Sequence, residues 1–94
     1  MKYELLTNKK LREEMRNYFE QGIMPGMFCY SLLINDLLKS IHTADEDNMR
    51  NIKEIVHWLF EQAPISKWGS EANVNKFLKR TKIYRQTKLS ETPI

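Results

Sequence analysis

His57 stands three residues after Glu54 and four before Glu61, a spacing that brings the three side chains to neighbouring positions on one helix. A Glu-x-x-His pair is half of the donor set that holds two metal ions inside helical bundles. The other half is missing, since the second histidine, His42, lies near the opposite end of the same segment, so a solvated face with i, i+4 pairing is the simpler reading. His42 with Asp45 and Asp47 offers nitrogen and oxygen donors, but Asp45-Glu46-Asp47-Asn48 lacks the glycine and closing glutamate of a calcium loop. Cys29, the single cysteine, sits in an apolar run without a cationic neighbour in sequence and reads as a buried, inert thiol. There is no Gly-rich phosphate loop, no Gly-x-Ser-x-Gly turn and no Ser/His/Asp grouping. The expectation is a protein with no catalytic residues, no metal and no cofactor.

Two other groups of residues point to binding. Residues 1–71 hold nine Lys or Arg against eleven Asp or Glu, a net of −2, whereas residues 72–94 hold six against one, a net of +5. Within this basic end Asn73, Lys76 and Arg80 share one helical stripe, Asn75, Lys79 and Lys82 lie beside it, and Arg85 follows. Amides and cations are the side chains that contact bases and phosphates, so a nucleic-acid face made of Asn73, Lys76, Lys79, Arg80, Lys82 and Arg85 is one reading. The second group is apolar: ten aromatic residues and five methionines are more than four short helices easily hide. Met24, Met27, Phe28, Tyr30 and Trp68 cluster around turns, and accessible Met and aromatic groups are the usual anchors of protein interfaces. Met27, Tyr30 and Trp68 are therefore the expected protein-contact residues.

The elements that must position these groups follow from apolar periodicity. Leu11, Met15, Tyr18 and Phe19 recur at i, i+4, i+7 and i+8, with Thr7 or Asn8 as N-cap and Gly22 just past the end, which predicts a first helix. Ile23-Met24-Pro25-Gly26 is a tight connection in which Gly26 can take a positive φ. The run from Met27 to Ile41 is apolar nearly all round and predicts a second, central helix. Asn35 and Asp36 interrupt it, and Asp36 as a buried carboxylate needs either the Trp68-Gly69-Ser70 loop or Arg50 as its partner. Thr43-Ala44-Asp45-Glu46 matches a capping box opening a third helix, whose stripe is Met49, Ile52, Ile55, Val56, Leu59 and Phe60 and which ends at Pro64. Ser70 caps a fourth helix from Glu71 to about Arg80, with Val74, Phe77 and Leu78 facing inward.

The fold class is therefore all-α: a single compact domain of about four helices over residues 1–80, with a basic, flexible tail over residues 81–94. Ninety-four residues, 41% hydrophobic and 29% charged, leave room for one core only, and that core is thin enough for self-association as a homodimer to help. The start lacks the apolar segment of a signal peptide, and the run Ile23 to Leu38 is too short and too interrupted to span a membrane. With a lone cysteine, these features predict a cytoplasmic protein.

The pieces Tyr18-x-x-x-Gly22-Ile23-x-Pro25-Gly26-x-Phe28, Asn35-Asp36-Leu37-Leu38, Ala44-Asp45-x-x-Asn48 and Pro64 with Trp68-Gly69-Ser70, in that order, resemble a group of small uncharacterised proteins encoded by bacteriophages and prophages. The resemblance covers about residues 11–78 and leaves the basic end outside. It implies a context rather than an activity: a bacterial cytoplasm during infection or lysogeny, where small non-enzymatic proteins bind and block a host or defence protein.

Overall fold

The apolar spacing around Tyr18 gives α1, Lys9–Gln21, and its two ends are chemically defined. Of the two candidate caps, Asn8 is the one used: its Oδ1 accepts the Leu11 N–H at 2.9 Å. Gly22 closes the helix in the left-handed region at φ 66°, where a side chain would be strained. Leu11, Met15, Tyr18 and Phe19 are all buried, as their spacing requires. The computed structural model describes residues 1–90, with side chains through Ile83.

The chain is all-helical among the described residues, but it is cut more finely than periodicity predicts. A 3-10 turn, Tyr3–Leu5, precedes α1 and is held by the Trp58 indole N–H, which donates to the Lys2 carbonyl at 2.9 Å. The expected central helix is two helices, α2 (Met27–Leu33) and α3 (Leu37–Thr43). Asn35 takes φ 66° and stops α2, a conformation that asparagine tolerates better than most residues. Asp36 then restarts the chain as N-cap of α3, accepting the Lys39 N–H at 3.0 Å. Its carboxylate is thus partly exposed and engaged in capping, not buried against Arg50 or the Trp68 loop. The loop is instead tied down through backbone, with Gly69 N–H donating to the Leu33 carbonyl at 2.7 Å.

The third helix is likewise divided, into α4 (Glu46–Arg50) and α5 (Ile52–Gln62). Asp45, not Thr43, is its N-cap, accepting the Asn48 N–H at 2.7 Å, while the Thr43 hydroxyl donates back to the Lys39 carbonyl within α3. Gly26 does not adopt a positive φ; it N-caps α2 at φ −67°. Its N–H donates to Glu14 Oε1 at 2.7 Å, and the carboxylate sits where a Cβ would lie, 2.5 Å from that oxygen. A second 3-10 turn, Ile65–Lys67, leads to α6, Glu71–Ser90. Ser70 caps α6 as expected, its Oγ accepting the Asn73 N–H at 3.0 Å. The helix continues past Arg80 through Ser90, so the expected tail is helical that far, and residues 91–94 lie outside the described residues.

The core gathers Tyr18, Phe19 and Trp58 around Leu11, Met15, Leu33, Leu59 and Val74. Tyr18 packs edge-to-face on Phe19 and on Phe77 of α6, and its hydroxyl donates to the Lys67 carbonyl. Burial pushes the Tyr18 phenol well above its ordinary value of 10.0, and burial likewise raises Tyr3 and the Cys29 thiol. Well below the ordinary values of 9.0 for the thiol and 10.0 for the phenols, folded and unfolded chains both keep these protons, so stability is insensitive to their titration. At higher pH the unfolded chain ionises first, and stability falls as pH rises towards the folded values. Urea unfolding between pH 8 and 11 should show this decline, and Tyr18→Phe should make it shallower while removing one hydrogen bond, a cost of about 1 kcal/mol.

Candidate functional site

The break at Asn35 has a consequence for α3 that decides the surface. The residue α3 turns inward is Ser40, only 1% exposed, with its hydroxyl donating to the Asp36 carbonyl at 2.7 Å. Its large aliphatics point outward instead: Leu37 is 66%, Leu38 81% and Ile41 44% exposed. A soluble helix ordinarily buries its apolar stripe; this one presents it.

Leu37, Ser40 and Ile41 form one wall of a groove of about 530 Å³. The opposite wall comes from Met49 at the end of α4 and from Ile52, Lys53, Val56 and Phe60 along α5. Leu32, Leu59 and Trp68 make the floor, and Asn35, Asp36, Ile65 and Gly69 close one end. Phe60, 70% exposed, stands on the rim with its ring edge-to-face on buried Trp68, centroids 5.1 Å apart. Trp68 is fixed from below, its indole N–H donating to the Ala63 carbonyl at 3.2 Å, and its own carbonyl accepts the Asn73 amide at 3.0 Å. One cation, Lys53, and one carboxylate, Asp36, border an otherwise apolar surface. Chemically this arrangement can desolvate and hold an apolar side chain or helix face.

Of the residues expected to contact protein, only Trp68 touches this groove, and it does so as a buried floor residue at 5% exposure rather than as an accessible anchor. Met27 is exposed at the start of α2 but lines a separate polar cleft with Asn8, Glu14 and Asp45. Tyr30 is half-buried against the core. The three do not form one patch. The groove residues Leu37, Ile41 and Phe60 escape periodicity analysis because, read in continuous helices, they count as core. Asn35-Asp36 was the available signal, since an αL-tolerant residue followed by an N-cap residue restarts helix phase.

The basic residues divide. Asn73 is withdrawn from any nucleic-acid face, its amide donating to the Ile65 and Trp68 carbonyls. Lys76, Lys79, Arg80 and Lys82 are exposed on α6, opposite the face that carries Val74, Phe77 and Leu78 into the core. The Arg85 side chain lies outside the described residues. His57 Nε2 meets Glu61 at 3.0 Å as an exposed i, i+4 pair, and among the described residues no group of three His, Cys, Asp or Glu is placed to hold a metal ion. Asp45 is occupied as a cap, so the His42 grouping does not assemble into a site.

The fold and groove define a class: a small all-helical domain carrying an exposed apolar groove among its described residues. No described helix is long and apolar enough to cross a membrane. No family model, curated protein or solved structure matches the chain.

Proposed function

We propose that the protein is a non-enzymatic binding protein that holds another protein in the groove between α3 and α5, with the resemblance to phage-encoded proteins giving the context of a host or defence target in the bacterial cytoplasm. The observation that carries this reading is the outward apolar face of α3, where Leu37, Leu38 and Ile41 are exposed while Ser40 is buried. Apolar groups displayed along a groove are favourable to bury and costly to leave in water, about 25 cal/mol for each Å². Phe60 and Ile65 are the contact residues on the opposite side, and they replace Met27, Tyr30 and Trp68 in that role.

The second reading, nucleic-acid binding, keeps one supporting observation. Lys76, Lys79, Arg80 and Lys82 leave the same helix on its solvent side, and four cations on one rod can follow a phosphate backbone.

One affinity experiment separates the two. Tagged protein captures its partner from bacterial lysate, treated or untreated with nuclease, in parallel with Phe60→Asp and with Lys79→Gln/Arg80→Gln. The groove reading expects nuclease-resistant capture that Phe60→Asp weakens at least about 30-fold, equivalent to roughly 2 kcal/mol, and that the lysine-arginine variant leaves intact. Capture that vanishes with nuclease and with Lys79→Gln/Arg80→Gln supports the α6 reading and defeats the first. Phe60 is mostly exposed, so its replacement leaves the fold in place.

A further inference from the structure

We infer that in the free protein the groove is filled by α3 of a second copy, making a symmetric homodimer that covers the docking face until a partner displaces it. This rests on the reading of the groove as a docking surface and adds its resident occupant. The chain carries both halves of a helix-in-groove contact. The concave half is the trough between α3 and α5, floored by Leu32, Leu59 and Trp68. The convex half is α3 itself, whose Leu38 is 81% exposed and does not line its own groove. Ile41 follows Leu38 at i+3 and Leu37 at i+4, the spacings at which a helix laid into an apolar groove places its anchors. An element that is both wall and ligand satisfies a two-fold axis, because each copy gives to the other what it receives.

Area and charge agree with this occupant. At a full accessible area of about 170–200 Å² per large side chain, the exposed parts of Leu37, Leu38, Ile41, Met49, Phe60 and Ile65 amount to roughly 620–730 Å². That exceeds the roughly 450–520 Å² of apolar area in the roughly 800 Å² each partner contributes to a standard stable interface, so burying most of it suffices. Two copies of a strongly basic surface would repel, but the groove has one cation, Lys53, and one carboxylate, Asp36. The net charge of +5 belongs to residues 72–94, and none of the described residues among them lines the groove.

Light scattering on the purified chain across the micromolar range tests this. Expected are twice the 11.3 kDa of one chain for wild type, single mass for Leu38→Asp and for Phe60→Asp at the same loading, a weakening of at least tenfold, and unchanged mass for Met27→Asp, which alters an exposed apolar site away from the groove. Circular dichroism confirms that each variant keeps its helices. A wild-type chain of single mass overturns the inference, as does a dimer that survives both groove substitutions or dissociates only with Met27→Asp. The lysate experiment remains independent: a monomer whose capture is lost with Phe60→Asp refutes the dimer and keeps the groove, whereas a dimer that captures nothing does the reverse.

Discussion

Replacing Trp68 with alanine lowers unfolding free energy by about 3–5 kcal/mol, the range for removing a large aromatic from a packed site. The indole is 5% exposed, its ring supports Phe60, and its N–H engages the Ala63 carbonyl. Truncation opens a cavity and leaves that carbonyl without its donor. For a domain this small, a loss of that size lowers Tm by tens of degrees, since each kcal/mol is worth about 4–8 °C. Thermal and urea unfolding followed by circular dichroism measure it, and a loss below 1 kcal/mol would show that the site is not packed as described. Trp68→Phe keeps much of the ring contact and forfeits the hydrogen bond, so it should cost much less. Because Trp68 is the groove floor, partner capture by Trp68→Ala should fail even at temperatures where the variant remains folded.

Gly22→Ala should cost about 2–5 kcal/mol for two separate reasons. The backbone at φ 66° charges an L side chain about 1–2 kcal/mol, and forced overpacking adds about 1–3 kcal/mol. The overpacking is specific: a Cβ on Gly22 would lie 2.4 Å from Thr81 Cγ2 and 2.5 Å from Thr81 Cβ. That contact is where α6 crosses the end of α1, so the two terms can be told apart. In a Thr81→Gly background the clash is relieved while the dihedral strain persists, and Gly22→Ala should cost at least 1 kcal/mol less than in wild type. Equal costs in the two backgrounds would mean that α6 is not seated on α1 at this point.

These two positions also show how unevenly the sequence reveals the protein. The Gly22 terminus, the Asn8 and Ser70 caps and the buried set Leu11, Met15, Tyr18 and Phe19 are legible because they depend on residues within a turn or two of each other. The same local logic misplaced the third helix. A stripe continued from Met49 through Phe60 assigns both to the core, yet both are exposed and Trp58, outside that stripe, is buried. Phe60 lies in the same helix as buried Ile55, Trp58 and Leu59, at the edge of their face, where its ring rests on Trp68 and stays exposed. Among the candidate binding residues, the described cations of α6 are visible as a charge excess and emerge exposed, while Asn73 is lost to hydrogen bonds that link α6 to a loop five and eight residues earlier.

What the linear chain determined is its all-helical class, the ends marked by Gly22 and Ser70 and the basic character of its end, since helix propensity, capping and charge act over a few residues. What only tertiary structure decided is which apolar residues are left outside. In one continuous helix Leu37 and Ile41 would stack on buried Leu33 at i+4 and i+8 and enter the core with it. The left-handed turn at Asn35 reorients α3 so that Ser40 faces inward, and the floor beneath the exposed leucines is completed by Trp68, more than thirty residues away and held through Gly69 to the Leu33 carbonyl. A groove assembled from such distant contacts leaves no periodic trace, because its apolar residues obey the same local spacing as residues that are buried.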